Sequence, residues 1–203
     1  LDNKKSRFNK EKLSKQNDEL AANGYRVIAI ASGKVENFVN KDYYEASDIP
    51  KLTFKGMVSF IDPIRAEVKE SVEKSREAGI KVIMITGDHP LTALSIAKDL
   101  SLVENDSEIS TGVELNQYLQ KGEKAFDKYI KSKKVFARVT PMDKLNIVNS
   151  LKRSGEYVAV TGDGVNDAPA IRSANIGIAM GSGTDVSKET ASMIIVDDNF
   201  KSI

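Results

Sequence analysis

The sequence predicts an α/β protein: a doubly wound parallel sheet, preceded by a small α+β remnant of a second domain. Two patterns predict the sheet. From about residue 61 onward, short apolar runs of strand length alternate with amphipathic helical segments, which gives parallel βαβ units covered by helices on both faces. Polar residues suited to phosphate and metal follow several of these strands at their carboxyl ends, the edge at which such sheets bind ligands. The first fifty or so residues lack the alternation and are assigned to the other domain. The expected boundaries are 1–60 for the remnant and 61–203 for the sheet domain.

Asn9 to Ala22 carries Leu13 and Leu20 on one helical face and ends at Asn23-Gly24, a terminator pair. Tyr25 to Ala31 reads as a strand, 32–50 as a polar surface connection, and Leu52 to Ile61 as a second strand. Asp62-Pro63 resembles an N-cap and first-turn proline opening a helix through Ile64, Val68 and Val72, closed by Gly79. Then come a strand (Ile80 to Ile85), the turn Thr86-Gly87-Asp88-His89-Pro90, and a helix (Leu91 to Leu100) with Leu91, Leu94 and Ala97 on one side. Residues 101–110 form a loop with a short strand, and Val113 to Gln120 and Glu123 to Ile130 form two charged helices. Val135 to Ala137 is a strand and Pro141 to Leu151 a helix carrying Leu145, Val148 and Leu151. Tyr157 to Val160 is a buried strand, and Asp167 and Pro169 are expected to cap and open the next helix. The chain closes with a strand (Ile176 to Met180), a helix (Thr184 to Ala191) and a strand (Met193 to Val196).

Composition removes several classes of function. The 203 residues are 40% hydrophobic and 29% charged, and 30 basic against 29 acidic residues leave a net charge of +1. No field draws such a chain to nucleic acid or to an anionic membrane. The longest apolar runs, Val27 to Ala31 and Val82 to Ile85, are strand-sized, and Leu1 to Lys5 hold no signal-peptide core. Zero cysteines exclude disulfides and thiolate metal sites, and a single histidine excludes a multi-histidine zinc site. There is no Gly-x-x-x-x-Gly-Lys-Ser/Thr loop, and Gly162-Asp163-Gly164 and Gly181-Ser182-Gly183 lack the third glycine of a dinucleotide fingerprint. His89, beside Pro90, is read as a solvated or capping residue.

The chemistry concentrates on Thr161 to Ala170. Two glycines and an asparagine let the chain bend sharply after a strand, holding Asp163 and Asp167 close together with the amide of Asn166. Two carboxylates and an amide are hard oxygen ligands of the kind Mg²⁺ takes, with waters and a substrate phosphate completing the octahedron. Three other strand ends are polar: Asp62, Thr86-Gly87-Asp88 and Arg138. Thr86 offers a hydroxyl, and its turn offers backbone N–H groups at a helix start, an anion site. Lys144 stands in the first turn of a helix, where it opposes the dipole; a phosphate on the same edge would explain it.

Those residues carry a resemblance to the P-type cation-transporting ATPases, whose phosphorylation domain is a Rossmann-like sheet of the haloacid-dehalogenase type. It runs through Met84 to Asp88, Val135 to Pro141 with Lys144, Thr161 to Ala170, Gly177 to Gly181 and Asp197 to Phe200. Asp62-Pro63-Ile64-Arg65 is similar to the family's Asp-Pro-Pro-Arg, and Tyr25 to Ala29 resembles the last strand of its nucleotide-binding domain. The pattern is most similar to the bacterial and sarcoplasmic-type calcium pumps. The resemblance implies that Asp163 ligates Mg²⁺, with Asn166 and Asp167 supporting the metal and the phosphate. It implies that Thr86 and Lys144 bind the phosphoryl group in a pocket lined by Gly87 and Asp88, and that Arg26 and Arg138 contact ATP.

One departure is decisive for activity. The family's phosphorylated aspartate stands in Asp-Lys-Thr-Gly-Thr after an early strand, and no such motif exists here; Asp143-Lys144 and Asp127-Lys128 lack the Thr-Gly that follows. The expectation is a soluble piece from the cytoplasmic face of a membrane pump, inactive alone. Its partners would be the rest of that pump: nucleotide-binding, actuator and transmembrane domains, with the transported cation bound in membrane helices. Two rival readings are a soluble phosphatase of the same superfamily, which needs the same missing nucleophile, and a receiver-type signalling domain. In a receiver the acid pair precedes the threonine and lysine; here it follows both.

Overall fold

The computed structural model describes residues 9–35, 40 and 42–203 and divides into two compact units, Leu1–Asp62 and Pro63–Ile203. Residues 1–8, and 36–39 and 41 of the expected surface connection, lie outside the described residues. No helix among the described residues is long and apolar enough to cross a membrane.

In the first unit α1 (Lys10–Ala22) begins at Asn9, whose side-chain oxygen accepts from the Lys12 N–H at 2.9 Å. The chain reverses at Gly24, φ 81°, into β1 (Arg26–Ser32), which pairs antiparallel with β2 (Thr53–Phe60). Ile28 stands opposite Val58, and both are exposed with Ile30 and Phe60 on the same sheet face.

In the second unit the expected strands and helices form in order. These are α2 (Ala66–Glu77), β3 (Met84–Ile85), α3 (Pro90–Asp99), β4 (Ile109–Thr111), α4 (Gly112–Gln120) and α5 (Glu123–Lys131). There follow β5 (Val135–Ala137), α6 (Pro141–Arg153), β6 (Ala159–Gly162), α7 (Ala168–Ser173), β7 (Ile176–Met180), α8 (Asp185–Thr190) and β8 (Met193–Ile195). The fold class is as predicted: α/β, with parallel pairing throughout this unit.

The sheet is not continuous, however. Its strands form two three-stranded parallel sheets, ordered β3-β5-β4 and β6-β7-β8. In the first, β5 is the middle strand, and Val135, Phe136 and Ala137 are 0% exposed. Val135 and Ala137 pack with Val72 of α2 and Ala93 and Ala97 of α3. Phe136 points the other way, into Leu115, Phe126, Ile130 and Ile147 of α4, α5 and α6. Helices thus cover both faces, as a parallel sheet requires. The second sheet has a smaller core, Val148 of α6 with Val158 and Ala170.

Helix α6 therefore lies under both sheets, Ile147 on one side and Val148 on the other, with Leu151 against both. The amino ends of β3 and β6 are linked by the Lys81–Glu156 ion pair at 3.0 Å. Strands β3 and β6 each have a ladder partner on one side only among the described residues, and they flank one gap. The chain completes β3, β4 and β5 on one side of that gap and crosses to the other side only between β5 and β6, so the gap is where the winding changes sides, the topological switch point.

Four expectations are corrected. Helix α2 starts at Ala66, not at Pro63, because the Arg65 guanidinium donates to the Asp198 carbonyl at 3.0 Å and holds Arg65 extended at ψ 135°. Pairing for β3 is confined to Met84–Ile85, since only β5 flanks it. The strand expected at Tyr157 to Val160 lies at Ala159–Gly162, because both main-chain groups of Val158 are taken by Asn175 and Ile176. On α3 the deepest residues are Ala93 and Ala97 rather than the leucines, so small side chains let the helix approach the sheet.

Candidate phosphate and metal site

At the carboxyl end of β3, the Thr86 N–H donates to the Phe136 carbonyl at 2.8 Å, continuing the ladder one residue past the strand. The chain then turns. Asp88 N–H donates to Thr86 Oγ1 and Thr86 Oγ1 donates to Asp88 Oδ2, each at 3.1 Å. Arg138 N–H donates to the Asp88 carbonyl at 3.1 Å and Val139 N–H to the Thr86 carbonyl at 3.3 Å, so the turns after β3 and β5 are stitched together. His89 is the N-cap of α3, its Nδ1 accepting from Leu91 N–H at 3.3 Å, which agrees with the capping reading.

Arg138 sits in the left-handed region, φ 53°. Its carbonyl lies where a Cβ on Gly112 would come within 2.5 Å, so the first residue of α4 must be a glycine for α4 to seat against this turn. Two residues on, Thr140 caps α6 in a reciprocal box. Thr140 Oγ1 accepts from Asp143 N–H at 3.2 Å, while Asp143 Oδ2 accepts from the Thr140 N–H at 2.8 Å and its hydroxyl at 2.7 Å. Asp143 is buried, and the box fixes the first turn of α6, which carries Lys144.

Lys144 Nζ reaches Asp167 Oδ1, and both side chains are largely buried, 17% and 15% exposed. Asp167 Oδ2 accepts from Gly164 N–H at 3.1 Å. The carboxylate expected to cap α7 therefore makes no bond to that helix; one oxygen is taken by the lysine and the other closes the Val165–Asp167 turn through the Gly164 N–H. Gly162 makes this possible: a Cβ there would lie 2.5 Å from Asp167 Cβ. Asp163 comes one residue after β6, and its carboxylate is exposed with no hydrogen bond or ion pair among the described residues.

Thr86, Asp88, Arg138, Lys144, Asp163 and Asp167 thus belong to one continuous rim across the switch point. Gly87 and Asn166 are exposed on its two turns. Arg26 does not join them within a unit; it lies on β1 of Leu1–Asp62. The rim combines a hydroxyl, an ammonium, turn N–H groups and an unpartnered carboxylate, a set able to hold a doubly charged anion beside a hard cation. Among the described residues no group of three acidic or histidine side chains could hold a metal. Mg²⁺ asks for less, since one or two carboxylates suffice when water and phosphate supply the rest. The residues present fit it.

The capping box, not read above, was readable in the sequence as Thr140-x-x-Asp143. The Lys144–Asp167 pair was not, because 23 residues separate its members.

Comparison with known proteins places the chain among its relatives. The model of the haloacid dehalogenase-like hydrolases matches residues 33–175. Calcium-transporting ATPase 1 of Lactococcus lactis is 44% identical over 206 residues, covering 100% of this chain and 23% of that protein. A calcium-transporting ATPase of Bacillus subtilis is 45% identical over 91% of this chain and 20% of its own length. The alpha-4 subunit of the rat sodium/potassium-transporting ATPase is 42% identical over 91% of this chain and 21% of its length. A solved catalytic domain of the CPx-ATPase CopB-B is 27% identical, with a TM-score of 0.52 over 76% of this chain and 48% of that one. The chain thus spans about a fifth of the length of these curated relatives. The P-type ATPase resemblance carried by the motifs and the similarity found along the chain point the same way, and the chain belongs to the haloacid dehalogenase-like hydrolase family.

Proposed function

We propose that the chain is the phosphate- and Mg²⁺-binding part of a P-type cation-transporting ATPase of calcium-pump type, lying on the cytoplasmic face of the membrane. The observation that carries this is the Lys144–Asp167 bridge over the switch point, with Thr86 on one side and the unpartnered Asp163 carboxylate on the other. Phosphoryl transfer is largely positioning and charge neutralisation, and these groups supply both. In this reading Thr86 Oγ1 and Lys144 Nζ hold the transferred group, and Asp163 is the direct metal ligand. Asp167 keeps the ammonium in place, and Asn166, Gly87 and Asp88 line the pocket. When bound, Mg²⁺ neutralises phosphoryl oxygens. Arg138 and Arg26 are assigned to ATP, Arg26 from the remnant of the nucleotide-binding domain. Calcium as the cargo rests on the bacterial relatives, while the residues that select the ion belong to membrane helices elsewhere in the pump.

The acceptor carboxylate is missing from the chain. The open edges of β3 and β6 support the view that a strand bearing it belongs between them, its carboxyl end level with Thr86 and Asp163. Incubated with labelled ATP and Mg²⁺, the chain alone should form no acid-stable, hydroxylamine-labile adduct, because covalent catalysis lacks its nucleophile. Supplying the segment that bears Asp-Lys-Thr-Gly-Thr should restore it. A stoichiometric adduct on the chain alone would refute the assignment.

A further inference from the structure

The consecutive backbone carbonyls of Asp163 and Gly164 are both held by the start of α8. Thr184 N–H donates to the Asp163 carbonyl at 2.8 Å, and Ser187 Oγ donates to the Gly164 carbonyl at 3.0 Å. The two hydroxyls are themselves linked, Thr184 Oγ1 to Ser187 Oγ at 2.7 Å, and Ser187 N–H donates to Thr184 Oγ1 at 3.4 Å. Gly183 packs so closely that a Cβ there would meet the Asp163 carbonyl at 3.0 Å and its Cα at 3.2 Å. Ser187 is 0% exposed and none of the chemistry assigned above uses it.

We infer that Ser187 is a positioning residue for the Asp163 loop: its buried hydroxyl, with the Thr184 N–H, fixes the loop so that Asp163 presents its carboxylate at the rim. The argument is geometric. Once the carbonyls of residues 163 and 164 are tied back, the peptide planes on either side of Gly164 are set. The Gly164 N–H then points at Asp167 Oδ2, and the Asp163 side chain is left facing outward. Removing the Ser187 hydroxyl leaves the Gly164 carbonyl with the Asp167 N–H alone, at 3.0 Å, cuts its tie to α8 and loosens a loop with glycine on both sides of Asp163. Groups that orient a ligand rather than touch the metal commonly change metal affinity by about 10–100-fold. The metal part of this inference rests on the reading of Asp163 as a Mg²⁺ ligand; the loop part does not.

Two measurements on the 203-residue chain separate these parts: amide hydrogen exchange of residues 163–167 without metal, and a Mg²⁺ titration followed by the amide shifts of the same residues. Ser150→Ala is the control, since Ser150 is equally buried and its Oγ donates from α6 to Asp127 of α5 at 2.6 Å, with no bond to the 163–167 loop. Ser187→Ala should speed exchange across 163–167 and weaken Mg²⁺ by about tenfold or more, while Ser150→Ala does neither at a comparable loss of thermal stability. Ser187→Cys keeps the shape with a poorer donor and should move both readouts the same way; it serves if alanine does not fold. Loop exchange within twofold of the parent in both Ser187 variants overturns the inference. If the parent chain shows no Mg²⁺-dependent shift but Ser187→Ala still loosens the loop, the positioning role stands and the metal reading falls.

Discussion

The two half-sheets of Pro63–Ile203 are built to different standards. In β3-β5-β4 the middle strand is fully buried between helices on both faces, its Phe136 closed in against Ile130 of α5. In β6-β7-β8 the middle strand β7 also buries Ile178 and Ala179, but the edge strand β6 keeps Ala159 and Thr161 exposed, and the cluster packed against it is small: Val148, Val158 and Ala170. The first half is an anchor, while the second presents an acid-bearing turn whose position depends on polar ties: Lys144 from α6, Thr184 and Ser187 from α8. The contrast teaches that packing and site chemistry are segregated. Apolar contacts are dense away from the gap and give way to hydrogen bonds at it.

The largest expected effect tests the anchor. Phe136→Ala removes a closed ring between α4, α5 and α6 and should lower unfolding free energy by about 3–5 kcal/mol, read by urea denaturation. A loss below about 1 kcal/mol would mean that the first half-sheet is not the stabilising half. Gly162→Ala tests the other side. Its new Cβ would press on Asp167, costing about 1–3 kcal/mol of overpacking and pulling the carboxylate from Lys144. Chemical shifts of the Gly164 amide should move with it, and a silent substitution would show that the close approach is not maintained in solution.

The smallest effect is a pH dependence in the anchor. Glu108, just before β4, has its carboxyl lowered to about 2 by Lys134, with help from the Glu104 and Asn105 N–H groups. A depressed carboxyl contributes stability that is complete above its ordinary value of 4.5 and lost as pH falls toward 2. Thermal unfolding between those limits should therefore decline with acidification, and Glu108→Gln should decline less. Equal slopes would remove Glu108 from the account.

Much of the site was legible because its members are announced locally. Thr86, Lys144 and Asp163 each follow a strand within a few residues, and strand ends are where α/β sheets bind ligands. The reading faltered where a side chain had two possible partners. Asp167 was expected to cap its own helix, and a near neighbour in sequence is the natural guess, yet it turns to Lys144 across 23 residues. Asp62-Pro63 looked like a helix start, but Arg65 is held extended by the Asp198 carbonyl. Ser187 carried no signal at all, since a serine in a short polar helix looks like a solvated one until its burial is known.

The sequence by itself determined the alternation of strands and helices, the exclusion of thiolate and multi-histidine metal sites, and the residue types at the strand ends. These follow from local periodicity, turn chemistry and composition. Only the tertiary structure decided that β5 lies between β3 and β4, that a gap separates β3 from β6, and that α6 ties the halves together. It also decided which carbonyls Ser187 and Thr184 restrain. Strand order and long-range pairing are settled by which surfaces bury best against one another, a competition among distant segments that no local pattern contains.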